Sequence, residues 1–72
     1  MNKEILNDAF RDAMKHWNSI ADQYNQWSEL DINEKFTQIV RALLVKNIPH
    51  EEIIQIIDYL EKQGRKFIIG EL

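Results

Sequence analysis

The 72-residue chain contains no cysteine, one proline and only two glycines. Without cysteine it forms no disulfide and offers no thiolate ligand for a structural zinc site. No glycine or proline precedes Pro49, so the first 48 residues contain neither of the two strongest helix breakers. Gly64 and Gly70 are too few to build a glycine-rich loop around a phosphate. The composition therefore favours a helical protein without a nucleotide-binding loop.

Groups that catalyse reactions or bind metals are also sparse. His16 follows Asp12 at helical spacing, but two ligands do not make a metal site. The run H-E-E at His50 lacks the second histidine of a zinc-binding H-E-x-x-H helix. Apart from the tyrosines, the hydroxyl side chains are Ser19, Ser28 and Thr37. None lies in a nucleophile-elbow sequence, and we expect no catalytic residue, no metal, no cofactor and no enzymatic activity.

The charge balance is nine basic against twelve acidic residues, a net charge of −3. This sign disfavours direct binding to nucleic acid. The first ten residues lack the basic and apolar regions of a secretory signal, and the longest apolar run, 42–45, is too short to span a membrane. We expect a single domain, 1–72, in the cytoplasm. A domain of this size buries only roughly 60% of its unfolded surface, and self-association is the simplest way to stabilise it further.

An aromatic-rich seam of apolar residues with a period of 3.5 residues runs through the first third of the chain. Its members are Leu6, Phe10, Ala13, Trp17, Ile20, Tyr24 and Trp27. This period is typical of one long helix with a single packing face, and we predict a helix over about 3–27 with Asn2 as its N-cap. Such a helix would be about 37 Å long. Asn18 and Ser19 are poor helix formers, which makes them the weak point at which this helix could kink.

Two shorter helices are predicted to follow and to form a hairpin. The first covers about 32–46, with Asp31 as its N-cap and Asn47 in a left-handed position after its end. Its predicted apolar face comprises Ile32, Phe36, Ile39, Val40, Leu43 and Leu44. The second covers about 50–63, begins after Pro49 and ends at Gly64. Its predicted buried face comprises Ile53, Ile56, Ile57 and Leu60, and a short apolar C-terminal tail follows it. The fold class expected is all-α.

Residues 34–60, EKFTQIVRALLVKNIPHEEIIQIIDYL, resemble the helical-hairpin motif of the Sin repressor and anti-repressor family. The similarity lies in an early aromatic residue, Phe36, an apolar pair at 39–40, a turn at 47–48 and an acidic opening at 51–53. Phe36 stands where the family has Trp, and Lys35 stands where it has an acidic residue. The resemblance implies a hairpin that interlocks with the hairpin of a partner, through which a small anti-repressor disables a DNA-binding protein.

The predicted helix lengths favour an oligomer. Two hairpin helices of roughly 21 Å leave about 15 Å of a 37 Å seam uncovered, unless a kink splits the long helix or a second chain packs on it. We therefore expect a homodimer or a higher oligomer. The predicted oligomer contacts are Leu6, Phe10, Phe67 and Ile69.

The leading functional hypothesis is a small regulatory or inhibitory protein that binds another protein through its helices. The predicted partner-binding residues are Trp17, Tyr24, Trp27, Glu51, Glu52, Gln55 and Asp58. Among the aromatic residues, Trp27 is expected to be partly exposed and to anchor the partner. One alternative is a small-ligand or nucleotide-binding oligomer in which the aromatic residues stack on the ligand. A helix-turn-helix reading of the hairpin is disfavoured, because its second helix would bring carboxylates towards phosphates.

Overall fold

The computed structural model describes residues 2–20 and 26–65, and this part of the chain contains helices and no strand. Helix α1 spans Lys3–Ile20, α2 spans Ile32–Val45 and α3 spans His50–Lys62, with a 3₁₀ turn at Trp27–Glu29 between α1 and α2. The all-α class and the helical hairpin formed by α2 and α3 are confirmed. The apolar tail after Arg65 lies outside the described residues.

Short-range hydrogen bonds define the ends of the helices. The Asn2 side chain accepts a hydrogen bond from the backbone N–H of the residue two positions later, at 2.9 Å, and Asp31 caps α2 by accepting one from Glu34 N–H at 2.8 Å. Asn47 and Gly64 follow α2 and α3 with φ of 59° and 64°. Each is the left-handed residue of a Schellman motif, since the backbone hydrogen bonds run to the last turn of its helix. All four predicted caps are confirmed.

The first helix is shorter than its apolar seam predicts. It is continuous through Asn18 and Ser19, and the described part of it ends at Ile20. Gln26 is extended, with φ −73° and ψ 167°, and Trp27 begins a separate 3₁₀ turn. The prediction that the helix continues to residue 27 is therefore wrong. The described part of α1 has 18 residues and is about 27 Å long. Because Trp27 lies outside the helix and is buried in the core of the same chain, the end of the seam is covered without a second chain.

One core lies between the three helices and the 3₁₀ turn. Its buried apolar residues are Leu6, Ala9, Phe10, Ala13, Trp27, Leu30, Ile39, Ala42, Leu43, Ile53, Ile56 and Leu60. Helix α1 supplies four of these residues, and α2 and α3 each supply three. The core is thus built by the helical periodicity of all three helices, as amphipathic packing requires.

Polar contacts at the surface connect α1 to the hairpin. The backbone N–H of Asn2 donates to the Glu52 carboxylate of α3 at 2.9 Å, and the ammonium of Lys3 lies 5.8 Å from the ring centroid of Tyr59. Near the middle of α1, the Lys46 ammonium lies 2.7 Å from the Asp12 carboxylate. The hydrogen bond to Asp12 raises the pKa of Lys46, so this pair stabilises the fold at neutral pH and ceases to do so only at alkaline pH, above about 10.5.

None of the helices in the described ranges has both the length and the apolar character that a membrane span requires.

Candidate protein-binding surface

The outward side of α3 carries an exposed isoleucine among acidic and polar side chains. Ile54 is 63% exposed, one of the largest exposures of an apolar side chain in the described ranges. Glu51 and Asp58 are also exposed and lie three residues before and four residues after Ile54, on the same side of the helix, and the exposed Gln55 lies next to them. We call these four residues the α3 face. It presents one apolar side chain bordered by two carboxylates and an amide.

The orientation of the α3 face follows from the residues on the other side of the helix. Ile53, Ile56 and Leu60 are buried at 6%, 0% and 0% exposure, which fixes the inner side of α3 against the core. A residue one position after Ile53 is rotated by about 100° from it, so Ile54 turns away from the core. Glu52 is rotated the other way and accepts the hydrogen bond from Asn2 on α1. The structure therefore separates Glu52 from the other three predicted polar contacts.

The charges of the α3 face are only partly neutralised within the chain. Asp58 forms an ion pair with Lys62 at 2.9 Å, in which both side chains are more than half exposed. Such a pair contributes little, about 0.3–0.5 kcal/mol, and remains open to solvent. Glu51 lies in the first turn of α3, where the helix dipole favours a carboxylate, and it forms no ion pair among the described residues. The face therefore has negative potential around an apolar centre.

The predicted aromatic anchors do not form a common surface. Trp27 is only 5% exposed and packs edge-on against Phe10, with the ring centroids 5.6 Å apart. The expectation that Trp27 is partly exposed is therefore wrong, and the stacking alternative loses one of its three rings. Trp17 is half-buried against the core, and Tyr24 lies outside the described residues.

The predicted oligomer contacts also need correction. Leu6 and Phe10 are 0% and 3% exposed and belong to the core of the single chain. In this fold they have no surface left with which to contact a second chain. The other two predicted contacts, Phe67 and Ile69, lie outside the described residues.

A second apolar surface lies along the outside of α2. A shallow groove of about 310 Å³ is lined by Phe36, Thr37, Val40, Arg41 and Leu44. We call these five residues the α2 stripe. Leu44 is 54% exposed, although the sequence places it on the predicted inner face of the helix. The next residue, Val45, is 64% exposed. Consecutive apolar residues cannot all face one side of a helix. The runs of consecutive apolar residues in α2 and α3 therefore indicated, from the sequence alone, that each helix would expose some of them.

Arg65 joins the C-terminal end of α3 to the N-terminal half of α2. Its guanidinium donates hydrogen bonds to Asn33 of α2 and to Glu61 of α3. The same group lies 4.0 Å from the ring centroid of Phe36, at cation–π distance. The side chain of Arg65 is 25% exposed, so these contacts are partly shielded from water. Arg65 therefore closes the open end of the hairpin.

Replacing Arg65 is expected to weaken the hairpin. Arg65→Ala removes the hydrogen bonds and the cation–π contact together, and we expect the free energy of unfolding to fall by about 1–2 kcal/mol. For a domain of this length that corresponds to a Tm lowered by roughly 4–16 °C, measured by circular dichroism. Lys62→Ala is the matched control, because its ion pair is more than half exposed on both sides and should contribute less than about 0.5 kcal/mol. Equal losses for the two variants would show that the contacts of Arg65 do not stabilise the hairpin.

Metal chemistry finds no support in the described ranges, which contain no group of three or more histidine, cysteine or carboxylate side chains placed to hold an ion. Comparison of the chain with protein-family models, curated proteins and solved structures found no match. The resemblance of residues 34–60 to the Sin hairpin therefore stays a prediction.

Proposed function

We propose that this protein is a small, non-enzymatic regulator that binds another protein stoichiometrically, using the α3 face as its contact surface. The observation that carries the proposal is the exposure of Ile54 beside the exposed carboxylates of Glu51 and Asp58. An apolar side chain in water gains roughly 25 cal/mol per Å² when a partner buries it. Apolar residues enclosed by a polar rim are typical of the centres of protein interfaces.

The chemistry of the face defines the partner. Glu51 lies one turn before Ile54 and Asp58 one turn after it, and Lys62 forms an ion pair with Asp58. A complementary surface would have an apolar pocket for Ile54 and lysine or arginine side chains around that pocket. Opposite charge on the two surfaces accelerates association and excludes acidic competitors, including nucleic acid. Occupying such a pocket on a regulator or an enzyme would inhibit it without catalysis.

Replacing Ile54 should separate binding from folding. The partner is first identified by affinity capture from a lysate of the source organism with mass spectrometry, and its affinity is then measured with purified proteins. We expect Ile54→Ser to weaken binding at least tenfold, because a central apolar contact is lost, and to leave the Tm nearly unchanged, because the side chain is mostly exposed.

Val45→Ser is the matched control, since Val45 is 64% exposed but lies on α2. It should retain the affinity of the unmodified protein. Raising the ionic strength should weaken the complex, because the opposed charges are screened. Equal affinity for both variants, or an affinity that rises with salt, would reject the α3 face as the contact surface.

A further inference from the structure

We infer that two copies of this chain associate through the α2 stripe, with their α2 helices antiparallel about a two-fold axis. The inference goes beyond the proposed function, and it assigns self-association to a different helix from partner binding. It replaces the predicted oligomer contacts Leu6 and Phe10, which are buried in the core of the single chain.

The shape of the α2 stripe suits a second helix. Thr37, Val40 and Leu44 are spaced by three and four residues, the pattern by which one helix packs against another. The depression that they line is open to solvent along the helix, and Leu44 at one end is 54% exposed. At the other end Arg65 covers the Phe36 ring, which leaves Thr37 and Val40 as the centre of the contact.

The charges beside the stripe identify a second copy as the occupant. Glu34 and Arg41 are both exposed, and neither forms an ion pair among the described residues. They are seven residues apart, so they lie on the same side of the stripe, with one acid towards the start of α2 and one base towards its end. When a second copy of this surface is turned end for end, its acidic end meets the basic end of the first copy, so the two copies are complementary.

The helix direction follows from the same two charges. In an antiparallel pair, Glu34 of one copy lies beside Arg41 of the partner subunit, and this contact occurs twice because of the two-fold symmetry. A parallel pair would instead place both charges beside the opposite edge of the partner's stripe, so Glu34 and Arg41 would not meet. The antiparallel pair also brings Val40 near Thr37 of the partner subunit, so the apolar centre of each stripe is covered.

Charge reversal tests this arrangement in the full chain. Sedimentation equilibrium from 1 µM to 1 mM should show a monomer–dimer equilibrium. Glu34→Arg alone and Arg41→Glu alone should each weaken the dimer about tenfold, because two attractive pairs become repulsive. The double variant E34R/R41E should restore the dimer, and an equimolar mixture of the two single variants should form a heterodimer more readily than either variant forms a homodimer.

Two further variants distinguish this interface from the α3 face. Leu44→Asp should abolish the dimer and leave the Tm of the monomer, measured at 1 µM, unchanged, whereas Ile54→Ser should leave the dimer intact. The pairing is overturned if the protein stays monomeric at 1 mM. It is also overturned if Leu44→Asp leaves the dimer unchanged, which would place the contact elsewhere. If the single charge reversals leave the dissociation constant of the dimer unchanged, the antiparallel arrangement is rejected. Binding of the α2 stripe by a captured protein or by residues 66–72 in the monomer, detected as nuclear Overhauser contacts to Val40, would assign the stripe to that occupant instead.

Discussion

Trp27→Ala is expected to lower the free energy of unfolding by about 3–5 kcal/mol, because a large buried ring is replaced by a cavity. Trp27 is 5% exposed and meets Phe10 edge-on at 5.6 Å. A loss of that size is comparable to the whole stability of a domain of about 70 residues, so much of the chain should be unfolded at room temperature. Far-ultraviolet circular dichroism and urea titration measure the effect.

Conservative replacement is the control for Trp27. Trp27→Phe keeps an aromatic ring against Phe10 and should retain most of the helicity, with a smaller loss of stability. The coupling between the two rings, measured with Phe10→Leu in a double-mutant cycle, should be about 0.5–1.5 kcal/mol. If Trp27→Ala kept its full helicity and lost only partner binding, Trp27 would be a surface anchor and the packing described above would be wrong.

Leu6→Ala is the second large effect expected, a loss of about 2–5 kcal/mol in the free energy of unfolding. Leu6 is completely buried within the single chain. The matched control is Leu44→Ala, which makes the same chemical change at a side chain that is 54% exposed and should cost about 0.5 kcal/mol or less. Urea titrations of both variants give the comparison directly.

Protein concentration separates a core residue from an oligomer contact. The loss caused by Leu6→Ala should be the same at 2 µM and at 200 µM protein, because it arises within one chain. An oligomer contact behaves differently, since the stability that it contributes grows with protein concentration by mass action. A loss in the free energy of unfolding that appears only at the higher concentration would indicate that Leu6 is an oligomer contact.

Local chemistry made the helix ends predictable. Asn2 and Asp31 accept hydrogen bonds from the first turns of α1 and α2, as side chains of this type do wherever a helix begins. Asn47 and Gly64 adopt positive φ, a conformation that few residue types tolerate. Their residue types alone therefore predicted where α2 and α3 end. These interactions involve residues within a few positions of one another, so the sequence contains all the partners.

The seam shows where a periodic pattern misleads. The spacing of apolar residues continues from Ile20 to Trp27 as if one helix did, yet Gln26 is extended and Trp27 begins a 3₁₀ turn. The Asn18 side chain accepts a hydrogen bond from Trp27 N–H at 3.0 Å, across a sequence separation of nine residues. A residue in a turn can thus supply the same core as the helix before it, and apolar spacing alone does not distinguish the two arrangements.

The burial of individual helix residues was also hard to predict from their side-chain type. Lys35 is 8% exposed although its charge suggests the surface, whereas Leu44 and Ile54 are more than half exposed although they are apolar. Leu44 and Ile54 each follow directly after a residue that is buried in the core. A helix of two or three consecutive apolar residues must leave one of them outside, and only its rotation against the neighbouring helices decides which.

The sequence by itself determined the all-α class, the hairpin of α2 and α3 and the caps that bound the helices, because periodicity and capping act over a few residues. The tertiary structure alone decided that Trp27, Leu6 and Phe10 belong to the core and that Ile54 and Leu44 face solvent. The physical reason is that burial depends on how the helices rotate and where the chain turns back, and both are set by contacts between residues distant in sequence.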